Sequence, residues 1–155
     1  MTIDSLRDEW HKTIHDAGGV CPVCDRFGIV YRIGINATMA KSLIWLGKAP
    51  TSDPHGWVDV PTTAPKMVLR SNQLPTTKHW GLVERRPNND PKVKHSGMWR
   101  ITDKGRQFVN KQLRVPKKVY IYNDVVEAWS AEDVDIEECF GERFDYQDAM
   151  RRTWI

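Results

Sequence analysis

Apolar positions recur at helical spacing in some stretches of this chain and alternate in others, and the switches between the two periods mark its elements. Leu6, Trp10 and Ile14 stand four residues apart and share a face, which predicts a helix over residues 4–16. Asp4 or Ser5 can cap its start, and Ala17-Gly18-Gly19 stops it. Cys21-Pro-Val-Cys24 then makes a tight turn, followed by a strand at residues 28–33. Asn36 is a good N-cap for a second helix, residues 37–46, with Met39, Leu43 and Leu46 inward. Residues 47–65 carry the Pro, Thr and Asp of a loop, with a short strand at 56–60.

The middle of the chain has the most legible order. Thr62 or Thr63 before Ala64-Pro65 predicts a helix start, since proline suits the first helical position, and Ser71-Asn72 ends that helix. Met67, Val68 and Leu69 are its apolar residues. A brief helix at 74–80 carries Pro75 in its first turn, where proline is tolerated, and stops at Gly81. Residues 82–86 and 98–101 read as the two strands of a wing around the polar connection 87–96. Thr102 or Asp103 caps a helix of residues 104–113, with Phe108, Val109 and Leu113 inward. Helix, strand, polar tip, strand and helix in that order form the second half of a winged helix-turn-helix. Lys117–Trp129 reads as a β-hairpin turning at Asn123-Asp124, and the acidic residues 131–142 and 145–152 as two short helices.

The fold class expected is therefore α+β: a winged helix-turn-helix core with an N-terminal helix and zinc-knuckle segment and a C-terminal β-hairpin plus short helices. Residues 1–35 hold the helix and knuckle, 36–114 the winged helix, and 115–155 an acidic extension. With 155 residues, 40% of them hydrophobic, and seven Trp, the chain can bury a core.

Charge sharpens this picture. The net +3 conceals fourteen Lys and Arg against three acids in residues 61–118, a local +11, with −7 in residues 119–155. Such a split suits a central segment that meets a polyanion. Duplex DNA is the partner expected. Thr76, Thr77, Lys78 and His79 are the side chains a short helix before Gly81 would offer to a groove. Arg85, Arg86, Lys92, Lys94, His95 and Arg100 decorate the hairpin and suit phosphate contacts, which position a protein without reading sequence. Trp80 and Trp99 read as core residues, not stacking platforms.

The candidate cofactor is a structural zinc ion. Cys21-x-x-Cys24 supplies two thiolates, which is half of a tetrahedral site. His11 and His15 share a face of the first helix, so the four residues offer zinc-type ligands within fourteen positions. His95 and Cys139 are outside candidates for the same shell. No catalytic residues are assigned, because the chain has no phosphate-cradling glycine loop, HExxH or nucleophile elbow. Asp133, Asp135, Glu137 and Glu138 lie in an acidic tract without a neighbouring basic residue and read as a solvated face. As an alternative to DNA binding, that acidic region would dock on a host protein, such as transcription machinery or a defence factor, as a nucleic-acid mimic. No apolar run approaches the length of a membrane span, the N-terminus lacks a signal-peptide core, and three Cys fit a reducing cytoplasm.

Two resemblances follow from particular motifs. His79-Trp-Gly-Leu-Val-Glu-Arg85 and Trp99-Arg-Ile-Thr-Asp-Lys-Gly-Arg106 resemble the C-terminal half of a MarR-type winged helix. Pro75 and the lack of long flanking helices depart from that pattern, so the resemblance implies neither its dimer nor its effector pocket. Cys21-Pro-Val-Cys24, Tyr31-Arg32 before Asn36-x-x-Met-Ala40, Val115-Pro116 with Val119-Tyr-Ile-Tyr-Asn123, and Arg143-Phe-Asp-Tyr146 resemble a group of small bacteriophage and prophage proteins. That second resemblance implies a phage setting in the bacterial cytoplasm and brings no activity with it.

Overall fold

The computed structural model describes residues 2–88, 90, 92, 96–141 and 146–151. The chain opens with helix α1 (Ile3–His15), strands β1 (Gly19–Val20), β2 (Phe27–Gly28) and β3 (Tyr31–Gly34), and helix α2 (Ala37–Lys48). Strand β4 (Val58–Asp59), helices α3 (Val60–Thr63) and α4 (Lys66–Ser71), and a 3₁₀ helix (Leu74–Trp80) follow. Then come β5 (Val83–Arg85), β6 (Met98–Ile101), α5 (Asp103–Val109), β7 (Val115–Pro116), β8 (Lys118–Tyr122) and β9 (Val125–Trp129). Strand β10 (Asp133–Val134) and helices α6 (Ile136–Phe140) and α7 (Tyr146–Arg151) complete it. The protein is a mixed α and β chain with antiparallel strand pairs.

It folds as two compact units. Residues up to Gly34 join Pro116–Glu132 in the first, and Ile35–Val115 join the residues from Asp133 onward in the second. The stretch after residue 114, read in the sequence as one extension, is thus shared between them at Glu132.

In the first unit α1 starts one residue earlier than its sequence suggests, because the Thr2 hydroxyl accepts from the Ser5 amide. Ile14 is buried, and Leu6 and Trp10 are half-buried on the same face. The strand expected over 28–33 is two strands, since β2 pairs with β1 while β3 pairs with β8. Between them the Val30 amide donates to the Ile14 carbonyl at 2.7 Å, fastening the chain to the end of α1. Strand β8 lies between β3 and β9. The β8–β9 turn places Asn123 and Asp124 at φ 51° and 62°, the left-handed pair a two-residue type I′ turn requires.

In the second unit α2 is the central element, with Met39, Ala40, Leu43, Ile44, Trp45 and Leu46 all buried. Its Asn36 cap accepts from the Met39 amide at 3.0 Å. Thr62 and Thr63 do not start α4. They belong to α3, capped by Asp59, and α4 follows Pro65 without a side-chain cap. Helix α4 ends at Asn72, whose φ is 50°. The sheet order is β4-β6-β5, with Val58 opposite Trp99 and Val83 opposite Ile101. Thr102 caps α5 through the Gly105 amide, and this helix stops at Val109, short of residue 113, with Lys111 at φ 62°. Ile136, Phe140, Tyr146 and Ala149 of α6 and α7 are buried, and the Tyr146 hydroxyl donates to the Val109 carbonyl at 2.7 Å. Among the described residues no helix is long and apolar enough to cross a membrane.

Candidate nucleic-acid interface

The 3₁₀ helix is built by burying Leu74, Thr77 and Trp80, one residue in three, which is the period of that helix. Gly81 ends it at φ 72°, a conformation that favours glycine. Leu82 and Val83 then bury themselves, so the chain passes directly from the helix into β5. Thr102 closes the corner. Its hydroxyl donates to the Gly81 carbonyl at 2.6 Å, and its amide donates to the Leu82 carbonyl at 3.0 Å. The helix, the strand pair and the start of α5 are therefore one hydrogen-bonded piece. Trp80 and Trp99 are both core residues, as their sequence positions suggest.

The residues expected to face DNA divide into several groups. Lys78 is exposed, and Thr76 and His79 are half-buried, on a short helix that spans about 14 Å at 2.0 Å per residue. Thr77 is wholly buried, and its hydroxyl donates to the Leu74 carbonyl at 2.6 Å. It packs the helix down and is not offered to a ligand. That corrects the sequence expectation. Arg85, Arg86 and Lys92 are exposed; the Arg85 guanidinium lies 5.5 Å over the Trp99 ring, and Arg86 sits 3.6 Å from Asp53. Lys94 and His95 lie outside the described residues.

Arg100 is already occupied. Its Nε donates to Glu84 on the facing strand, and its Nη1 donates to the His55 carbonyl at 3.0 Å. The same guanidinium covers the Trp57 ring at 4.2 Å. These partners make it a brace between β6 and the loop before β4. Lys104 is the cation the sequence did not single out. Its Nζ lies within 4.0 Å of where a side chain on Gly81 would begin, at the end of the 3₁₀ helix. The packing of α5 against Leu82 brings it there, so its position in the sequence gave no signal.

The acidic tract also differs from expectation. Lys111 Nζ reaches Glu137 at 2.5 Å, and Arg114 reaches Glu138 at 2.6 Å and the Asp133 carbonyl at 2.8 Å. Glu137, Glu138 and Asp135 have basic partners after all. Hydrogen bonding to Glu137 raises the pKa of Lys111, and bonding to Glu138 raises that of Arg114.

The expected zinc ligands do not converge. In the first unit, β1 and β2 hold Cys21 and Cys24 at the end of a small hairpin, with the Cys21 amide donating to the Arg26 carbonyl at 2.7 Å. The amides of Cys24 and Val23 donate to the Cys21 sulfur and lower its pKa, which favours the thiolate a metal would need. A cavity of about 400 Å³ opens beside the pair, lined by Trp10, Phe27, Tyr31 and Tyr122 among others. His11 and His15 lie elsewhere: with Glu127 they form the one group of three or more potential ligand atoms within 4.8 Å among the described residues. Cys139 belongs to the second unit. Burial pushes its thiol up to about 12. Glu127 had no local signal, being 112 positions from His15 in the chain.

Comparison of the chain with known protein families, with curated proteins and with solved structures gives no match.

Proposed function

We propose that the second unit is a winged helix-turn-helix that binds duplex DNA without catalysing a reaction, in phage gene regulation or DNA transactions. The observation that carries this is the strand order β4-β6-β5, with α2 ahead of β4 and the α4–3₁₀ pair between β4 and β5. In a winged helix the middle position of the sheet belongs to the last strand, and the helix before the hairpin enters the groove. Here the 3₁₀ helix takes that place and offers Thr76, Lys78 and His79, with Lys104 at its end. The hairpin between β5 and β6 is the wing, with Arg85, Arg86 and Lys92 toward phosphates.

The short helix has a chemical consequence. With Thr77 turned inward, few side chains are left to reach base edges, so affinity comes mainly from phosphate contacts and counterion release. Binding is then strongly salt-dependent and weakly sequence-selective. A docking role on a host protein through the acidic stretch has less support, because Asp135, Glu137 and Glu138 are engaged by Lys111 and Arg114.

The test is fluorescence anisotropy with a random-sequence duplex at two salt concentrations. The Arg85→Glu, Arg86→Glu double variant weakens binding on every duplex and flattens its salt dependence. Unchanged affinity removes the wing from the interface, and no salt-dependent binding by the parent protein overturns the proposal.

A further inference from the structure

In the first unit, independently of any DNA-binding role, His11, His15 and Glu127 share a small patch of surface. The two histidines are one helical turn apart on α1, with ring centroids 4.4 Å apart. Glu127 arrives from β9, and the sheet register explains how. Tyr120 faces Ala128 and Ile121 faces Val126, so Glu127 is the extra residue of a β-bulge. A bulge re-aims the side chain of its extra residue, and here the Glu127 carboxylate stands 3.2 Å from His15 Nε2.

The orientation of His15 is also fixed. Its Nδ1 lies 2.7 Å from the His11 carbonyl oxygen, which can only accept, so Nδ1 is the donor. Nε2 is left pointing at Glu127. A histidine whose far nitrogen is tied to a backbone carbonyl is the usual arrangement of a metal-ligating imidazole.

We propose that His11, His15 and Glu127 bind a divalent transition-metal ion of the zinc class. Ligand bonds of about 2.0–2.2 Å at a tetrahedral angle place neighbouring ligand atoms about 3.3 Å apart, close to the His15–Glu127 separation. Two imidazoles and one carboxylate suit zinc, cobalt or nickel better than calcium or magnesium, which prefer oxygen ligands. All three residues are exposed, so water completes the shell. The ion joins α1 to the β8–β9 hairpin and stabilises the folded first unit by binding it and not the unfolded chain. This is a different site from the Cys21–Cys24 pair.

The experiment uses the full chain, stripped with chelator and titrated with Co²⁺ and then with Zn²⁺ against a chromophoric competitor. The expected result is an equivalent of Co²⁺ with nitrogen and oxygen ligation and no sulfur charge-transfer band, together with a higher melting temperature in Zn²⁺. Glu127→Gln, which keeps size and hydrogen bonding, weakens this binding at least tenfold, as does His11→Gln, while Cys21→Ser leaves it intact. A second equivalent that is lost only in Cys21→Ser leaves the proposal standing. Absence of binding, or binding that survives Glu127→Gln and disappears in Cys21→Ser, overturns it. Circular dichroism of the Glu127→Gln and His11→Gln variants separates ligand loss from misfolding.

Discussion

A methyl group on Gly105 would stand 2.1 Å from the Leu82 carbonyl oxygen, so the first turn of α5 can lie against the start of β5 only as glycine. The same carbonyl accepts the Thr102 amide at 3.0 Å. The contact joins the 3₁₀ helix, the hairpin and α5 at one point.

Gly105→Ala is therefore expected to destabilise the protein by about 2–3 kcal/mol, in the range of overpacked core sites. Urea denaturation measures it. Gly81→Ala makes the contrasting case, since its added carbon meets nothing closer than 3.8 Å and suffers only the left-handed backbone, a cost of about 1 kcal/mol. Equal losses in the two variants would show that the Gly105 approach is not the tight point of the fold.

Arg100→Ala separates brace from interface. Losing its bonds to Glu84 and the His55 carbonyl and its position over Trp57 lowers stability by about 1–2 kcal/mol. Affinity for duplex DNA falls less than in the Arg85→Glu, Arg86→Glu variant. A larger fall in affinity than in that double variant would put Arg100 on the nucleic acid.

The thiols differ in a way that pH reveals. Amide hydrogen bonds lower the pKa of Cys21, whereas burial raises that of Cys139 to about 12. Titration with a thiol-disulfide reagent near neutral pH is expected to modify Cys21 well before Cys139. Because the folded state keeps the Cys139 proton that the unfolded chain gives up near 9, its contribution to stability is present below that pH and is lost as pH rises toward 12. Burial likewise raises the pKa of Tyr146, so it acts in the same direction. Denaturation midpoints measured between neutral and alkaline pH check the sign, and a Cys139→Ala variant should show a shallower decline.

Local signals carried much of the fold. Leu6, Trp10 and Ile14, the Asn36 cap, the Asn123-Asp124 turn and the Thr102 cap are each read from neighbours within a turn or two, where backbone geometry is decided. Boundaries slipped where a distant partner intervened. The stretch at 28–33 broke into two strands because Val30 bonds to Ile14 between separate pairings with β1 and β8. Candidate site residues fared less evenly: Lys78, Arg85 and Arg86 are exposed as cations usually are, but Thr77 is buried and Arg100 is braced.

The sequence alone determined the periods, caps and turns of the elements, together with the concentration of positive charge between residues 61 and 118. It did so because those properties depend on residues close together in the chain. Tertiary structure alone decided that Glu127 meets His15, that Lys104 reaches the end of the 3₁₀ helix, and that Lys111 and Arg114 hold the acidic helix α6. Each of those meetings spans more than twenty positions. It is set by which apolar faces bury together, and no local spacing encodes that choice.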